Sequence, residues 1–175
     1  MTIDPTSLEE VDWELGARQI DDCEYLFIRG VEEIGELTLA VQVHEAKAQA
    51  PRTEALGLRP WENLLTKSRP IEVDESCRVF QLIFERDNMI SYTVSNESYS
   101  KYPEPPEQFS GKLFRIFTWS RLLEFTKETT HAGTELTGPL QHYQLASLNH
   151  VLDVICTRPP RIAMLRLKAP IRRPN

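Results

Sequence analysis

The stretch 78–96 of the chain, RVFQLIFERDNMISYTVSN, predicts two β-strands joined by a tight turn. A three-residue loop at 86–88 sets Glu85 opposite Met89 and gathers the apolar side chains of both strands on one face. Those side chains are Phe80, Leu82, Phe84, Ile90, Tyr92 and Val94. Asn88 suits the left-handed backbone position that such a loop requires. The pattern therefore predicts an antiparallel hairpin with one face in the core.

Further strands are predicted on both sides of this hairpin, where apolar and polar residues alternate or where short apolar runs occur. They are residues 25–28, 37–44, 112–118, 142–148 and 162–167. Strands that precede mixtures of strands and short helices are typical of the α+β class. We predict an α+β fold with a mostly antiparallel, curved sheet of six or seven strands. Two or three short helices would pack on the apolar face of that sheet.

Short helices are predicted where apolar residues recur at helical spacing behind a capping residue. One could lie in the amino-terminal segment with Ser7 as its cap, and a second begins after Thr118 or Ser120. A third would begin at Asn149 and continue to residue 156. A strand over 149–156 remains the alternative, because that segment is rich in β-branched residues, which favour strands.

The length predicts a single domain over residues 1–175. Within it, residues 1–21 form an amino-terminal segment and residues 168–175 a frayed basic tail. No internal repeat divides the chain. A domain of this size is large enough to bury a substantial core.

The composition is that of an ordinary globular protein, with 41% hydrophobic and 26% charged residues. No segment approaches the roughly 20 apolar residues needed to cross a membrane, and residues 1–10 lack the features of a secretory signal. Cys23, Cys77 and Cys156 lie far apart, which predicts free thiols and not a disulfide framework. We therefore expect a cytoplasmic protein.

The charges are distributed unevenly along the chain. Residues 1–40 contain eleven acidic residues and two arginines, a balance of −9, whereas residues 158–175 contain six basic residues and no acid, a balance of +6. Either the basic tail docks on the acidic surface, or that surface meets a basic protein partner, because charge complementarity speeds association. Nucleic acid is disfavoured as a partner, since no basic stripe with interleaved aromatic residues occurs.

His142, His150 and Asp153 are the candidate catalytic residues. On a helix from Asn149, His150 and Asp153 share one face, so that the carboxylate could orient the imidazole for proton transfer or for ligand binding. The alternative is an ordinary polar helix face. No zinc-type ligand spacing and no glycine-rich phosphate loop is present, so that neither a metal nor a cofactor is predicted.

A second candidate is a binding surface that combines tyrosine rings with amide and carboxylate groups. Its members are Tyr92, Asn96, Glu97, Tyr99 and Tyr102. Tyrosines are frequent at protein-binding surfaces, but they also cover the open ends of sheets. Arg115 stands alone in an apolar strand, where it could pair with Glu85 or Glu97, or bind an anion.

Two functions are compatible with these features. The first is a small acidic cytosolic protein-interaction module without catalysis, of which a neutralising partner of a basic protein is one form. The second is a small enzyme or ligand-binding protein with a pocket near His142, His150 and Asp153. A concave pocket with convergent polar groups would favour the second function.

Overall fold

The computed structural model describes residues 8–49, 69–101, 104, 106–133 and 137–165. Their strands are β1 (Leu8–Val11), β2 (Tyr25–Glu33), β3 (Leu39–Ala48), β4 (Ile71–Glu72), β5 (Val79–Phe84), β6 (Met89–Asn96), β7 (Gln108–Ser110), β8 (Phe114–Trp119), β9 (Gln141–Ala146), β10 (His150–Cys156) and β11 (Arg161–Leu165). The helices are α1 (Trp13–Asp21) and α2 (Arg121–Thr129), and a short 3₁₀ turn covers Glu97–Tyr99. Neither helix has the length and apolar character needed to cross a membrane.

The strands form two antiparallel sheets. Sheet 1 has the strand order β1-β11-β5-β3-β2, with β4 paired to β3, and sheet 2 has the order β6-β10-β9-β8-β7. One cluster of buried side chains contains members of both sheets, so that the inner face of each sheet packs into a common core. The α+β class and the antiparallel pairing are confirmed, but the single sheet that the sequence predicted is two sheets.

The predicted hairpin is wrong in its pairing. A turn does occur after Glu85, whose carbonyl oxygen accepts hydrogen bonds from the amides of Asn88 and Met89. From that turn the chain crosses between sheets: β5 pairs with β3 and β11, whereas β6 pairs with β10. Two sheets that face one core need the same alternation of side chains as two paired strands do, so periodicity alone does not reveal the partner strand.

The burial of the two strands differs for the same reason. Phe80, Leu82 and Phe84 of the central strand β5 are at most 2% exposed. In β6, which lies at the edge of sheet 2, Tyr92 is only partly buried against the core and Val94 is 44% exposed. The predicted apolar face is therefore fully buried in its first half only.

Helix α1 begins later than the sequence predicted. Residues 8–11 are a strand paired with β11, and Asp12 is the cap, its carboxylate accepting hydrogen bonds from the amides of Glu14 and Leu15. The predicted cap, Ser7, lies outside the described residues, as does the predicted basic tail. The helix packs closely on β11, since a Cβ at Gly16 would lie 2.8 Å from Ile162 Cγ2.

Helix α2 begins as predicted, whereas the third predicted helix is strand β10. Ser120 caps α2 through a 3.0 Å hydrogen bond from the amide of Leu123. Asn149 is not a helix cap; it lies in the turn between β9 and β10, where its side-chain amide pairs with both backbone groups of Ile28 in β2. The β-branched residues of 149–156 thus adopt the conformation that they favour.

The different environments of Leu82 and Val94 give a stability test of the two-sheet arrangement. Leu82→Ala should lower the free energy of unfolding by about 2–5 kcal/mol, because a fully buried side chain is removed. Val94→Ala should lower it by only about 0.5 kcal/mol, because that side chain is exposed at an edge. Urea unfolding of both variants measures the difference, and equal losses would contradict the arrangement.

Candidate functional site

A cavity of about 510 Å³ lies against the outer face of sheet 2. Its floor comes from β8, β9 and β10, because residues that alternate with the core side chains of a strand face the other side of the sheet. The floor residues are Arg115, Phe117, Gln144, Ala146, Val151 and Asp153. Glu97, Lys101 and Glu107, which lie between β6 and β7, form a side wall together with Phe109 of β7.

Three polar residues of the floor form a row across neighbouring strands. Gln144 in β9 is the register partner of Arg115 in β8 and of Asp153 in β10. The guanidinium donates from Nη1 to Gln144 Oε1 at 2.9 Å, and Gln144 Nε2 donates to Asp153 Oδ1 at 2.7 Å. The register of the sheet thus fixes the order of cation, amide and carboxylate.

The row continues under helix α2 through His142. Its Nε2 lies 2.9 Å from Asp153 Oδ1 and its Nδ1 lies 2.8 Å from Ser120 Oγ. Because a carboxylate offers only acceptors, Nε2 donates to Asp153. The imidazole ring also stacks on Phe117, with 4.1 Å between the ring centroids. His142 is therefore fixed at both nitrogens and on one face.

Serine, histidine and aspartate in this order invite comparison with a hydrolytic triad, but the serine is not accessible. Ser120 is completely buried, and its hydroxyl oxygen already accepts a hydrogen bond from the amide of Leu123. His142 is only 2% exposed. Of the three, Asp153 alone lines the cavity, so the chain of hydrogen bonds orients that carboxylate and does not activate a nucleophile.

The structure unites two of the three candidate catalytic residues, though not as the sequence predicted. His142 and Asp153 lie on neighbouring strands and are hydrogen-bonded. The predicted pairing of His150 with Asp153 is wrong, because residues three apart on a strand face opposite sides of the sheet. His150 Nδ1 is buried and has no hydrogen-bond partner among the described residues.

The predicted tyrosine-containing surface is distributed over different environments. Tyr92 packs against the core and donates from its hydroxyl to Glu33, which raises the pKa of Tyr92. Asn96 caps the 3₁₀ turn, and Glu97 lines the cavity. Tyr99 is 83% exposed. Tyr102 lies outside the described residues.

Arg115 and Gln144 show what the sequence could and could not reveal. The predicted pairing of Arg115 with Glu85 is wrong, because Glu85 pairs with Arg161. Arg115 instead donates to Gln144, and its guanidinium lies 4.8 Å from the Phe109 ring centroid. Gln144 was missed. The available signal was its polar side chain at an alternate position of an apolar strand.

Cysteine and metal chemistry find no support in the described residues. Burial raises the pKa of Cys156, and likewise that of Cys23, to about 12, so that neither thiol is a nucleophile near neutral pH. Within the described part of the chain, no group of three or more His, Cys, Asp or Glu side chains could hold a metal ion.

The burial of Ser120 predicts how the folded protein reacts with a serine-directed fluorophosphonate. Ser120 should not be labelled, as peptide mass spectrometry would show, because its hydroxyl is sealed from solvent. Ser120→Ala should instead lower the free energy of unfolding by about 1 kcal/mol, the usual contribution of a helix cap. Labelling of Ser120 under native conditions would contradict its assignment as a buried cap.

Comparison with known proteins adds no functional information, since neither a protein-family model, nor a curated protein, nor a solved structure matches this chain. Its function is therefore inferred from the geometry of these side chains.

Proposed function

We propose that this protein binds a small organic molecule in the cavity on the outer face of sheet 2. The observation that supports the proposal is the convergence of Arg115, Gln144 and Asp153 on one floor. A few fixed polar groups within a largely apolar concavity are typical of ligand sites.

The size and the walls of the cavity support the same function. A volume of about 510 Å³ lies within the range of about 300–1,000 Å³ that is common for small-molecule sites. Phe109, which is 45% exposed, offers ring surface to an apolar part of a ligand, and Leu113 and Val151 extend it. The polar floor would then select ligands by their charged or hydrogen-bonding groups.

Binding without catalysis explains the hydrogen-bond network better than an enzymatic role does. A general base must reach the proton that it abstracts, but His142 is 2% exposed, stacks against Phe117 and does not line the cavity. Two donors, His142 and Gln144, hold Asp153 in one orientation. A carboxylate fixed in this way is suited to recognition, because little side-chain freedom is lost when a ligand binds.

Blocking the cavity provides the test of this function. NMR amide shifts recorded with a fragment library should identify binders that perturb Gln144 and Asp153, and Ala146→Phe should abolish these shifts by filling the floor. Glu128→Phe, which places the same ring at an exposed position of α2, should leave them unchanged. Fragment binding that survives Ala146→Phe, or an absence of binders, would contradict the proposal.

The acidic amino-terminal region favours a second function, the binding of a basic protein. Of the ten described acids in residues 8–40, nine are exposed. The turn between β2 and β3 adds two exposed apolar side chains, Ile34 and Leu37, and Leu37 has a left-handed backbone with φ 54°. An apolar tip within an acidic surface suits a basic partner that also buries apolar contacts.

The basic tail at 168–175 lies outside the described residues, so its docking on the acidic surface stays a prediction. Arg161 of β11 forms ion pairs with Glu10 and Glu85. Glu36 likewise pairs with Arg86. Glu14, Asp22 and Glu32 are exposed and take part in none of these ion pairs, so their carboxylates are available to a basic partner. We also place the protein in a reducing cytoplasm, which its three free, buried cysteines support.

Salt and charge reversal distinguish this second function from unspecific adhesion. A basic partner captured from native extract at about 0.05 M salt should be released at about 0.3 M, where screening is stronger. The double variant Glu32→Lys, Leu37→Ser should lose the partner, whereas Glu128→Lys, a reversal outside the acidic region, should retain it. Capture that is insensitive to salt and to the double variant, measured by mass spectrometry, would contradict the proposal.

A further inference from the structure

We infer that the cavity binds a zwitterion whose carboxylate and ammonium groups are separated as widely as in a dipeptide. This inference rests on the proposed ligand-binding function and specifies its ligand class. It follows from the arrangement of the two charged floor residues, Arg115 and Asp153, and of Gln144 between them.

Arg115 provides a fixed positive charge. Its Nε donates to the carbonyl oxygen of Lys112 at 3.1 Å, its Nη1 donates to Gln144, and the guanidinium lies against the ring of Phe109. Among the described residues, no carboxylate forms an ion pair with it, and Nη2 donates to none of them. A guanidinium held in this way is suited to a ligand carboxylate.

Asp153 provides the opposite charge. Both of its donors, His142 and Gln144, bind Oδ1, and Oδ2 accepts no hydrogen bond from the described residues. The side chain is 16% exposed and lines the cavity. Oδ2 is therefore the atom that can accept a hydrogen bond from a ligand ammonium group.

Gln144 keeps the two charges apart. Its carbonyl oxygen faces Arg115 and its amide nitrogen faces Asp153, so that the guanidinium and the carboxylate do not pair with each other. Two hydrogen bonds and one amide group separate them, a distance of about 6–8 Å by ordinary hydrogen-bond geometry. Because the Gln144 amide already occupies the direct line between the two charges, a ligand has to pass over that amide to reach both of them. The charged groups of a dipeptide are far enough apart to do so, whereas those of an α-amino acid, which share one carbon atom, would have to take the place of the amide.

The remaining charges of the cavity fit a ligand without net charge. Lys101 adds a positive charge, and Glu97 and Glu107 add negative charges. With Arg115 and Asp153, the lining therefore carries both signs. A simple anion or cation would be repelled by part of this lining, whereas a zwitterion with an apolar side chain can also contact the exposed ring of Phe109.

The test uses the dipeptide Ala-Phe, its N-acetyl form, its C-terminal amide and free phenylalanine as probes in calorimetry with the whole chain. Ala-Phe should bind at least about tenfold more tightly than each of the others, because each of them loses one charge-assisted hydrogen bond. These comparisons use the unaltered protein and do not depend on the stability of any variant.

Two variants assign the ends of the ligand. Arg115→Gln should abolish the preference for Ala-Phe over its amide and keep the preference over the N-acetyl form, and Asp153→Asn should do the reverse. Arg158→Gln and Glu128→Gln, at exposed positions that do not line the cavity, should keep both preferences. Melting temperatures confirm that each variant is folded.

The outcomes separate this inference from the proposed function. Equal binding of the free and blocked dipeptides would overturn the zwitterion, while the loss of that binding in Ala146→Phe would leave the cavity function intact. If neither the dipeptides nor any library fragment binds, both are overturned. The zwitterion is supported if the unaltered protein prefers Ala-Phe over both blocked forms. Arg115→Gln must then lose only the preference over the amide, and Asp153→Asn only the preference over the N-acetyl form.

Discussion

The burial of the inner faces of both sheets in one core is the constraint on which the rest of the structure depends. Phe80 and Leu82 enter that core from sheet 1, and Leu145 and Leu152 enter it from sheet 2. Each fully buried side chain of this kind contributes about 1.5–3 kcal/mol. Because both sheets present alternating side chains to the core, the chain can leave one sheet at Phe84 and enter the other at Met89. An irregularity at Ile90 then shifts the alternation by one residue, so that Met89 and Tyr92 both pack against the core.

Once the inner faces are buried, the outer face of sheet 2 has to be covered or hydrated. Helix α2 packs on β9 through a side that includes the buried Leu123 and Thr126, and the uncovered strip beside it is the cavity floor. His142 lies at the boundary and bonds to the helix cap on one side and to the floor on the other. Sheet 1 also contains a buried carboxylate, that of Glu45, which is stabilised by hydrogen bonds. Burial alone would raise the pKa of Glu45, but its hydrogen bonds with Arg78 lower that pKa overall.

The features that depend on neighbouring residues could be predicted from the sequence. The features that depend on which distant strands pair could not. The strand β5 with its buried face and the Ser120 cap were predicted because alternation and capping are local. The sheet switch after β5 was missed because two facing sheets and one hairpin share a pattern. The pattern of residues 149–156 is compatible with the period of a helix and with that of a strand, and pairing with β6 and β9 fixes it as a strand. Asp153 and His142 are among the residues that the sequence predicts for the site. The position of Gln144 between Arg115 and Asp153 follows only from the register of β8, β9 and β10.

The polar floor is not what stability alone would select. Burying a polar group costs about 1–3 kcal/mol unless it is hydrogen-bonded, and the row from Arg115 to Asp153 avoids that cost by internal bonds. An apolar row of similar volume would avoid it as well, and replacing buried ionic groups in this way is often neutral or stabilising. What the apolar row could not provide is a cation and a carboxylate held apart at the surface of a concavity. Packing does not need that separation, whereas the proposed recognition of a ligand does, so two charges held apart on one floor are the feature that the proposed binding site requires.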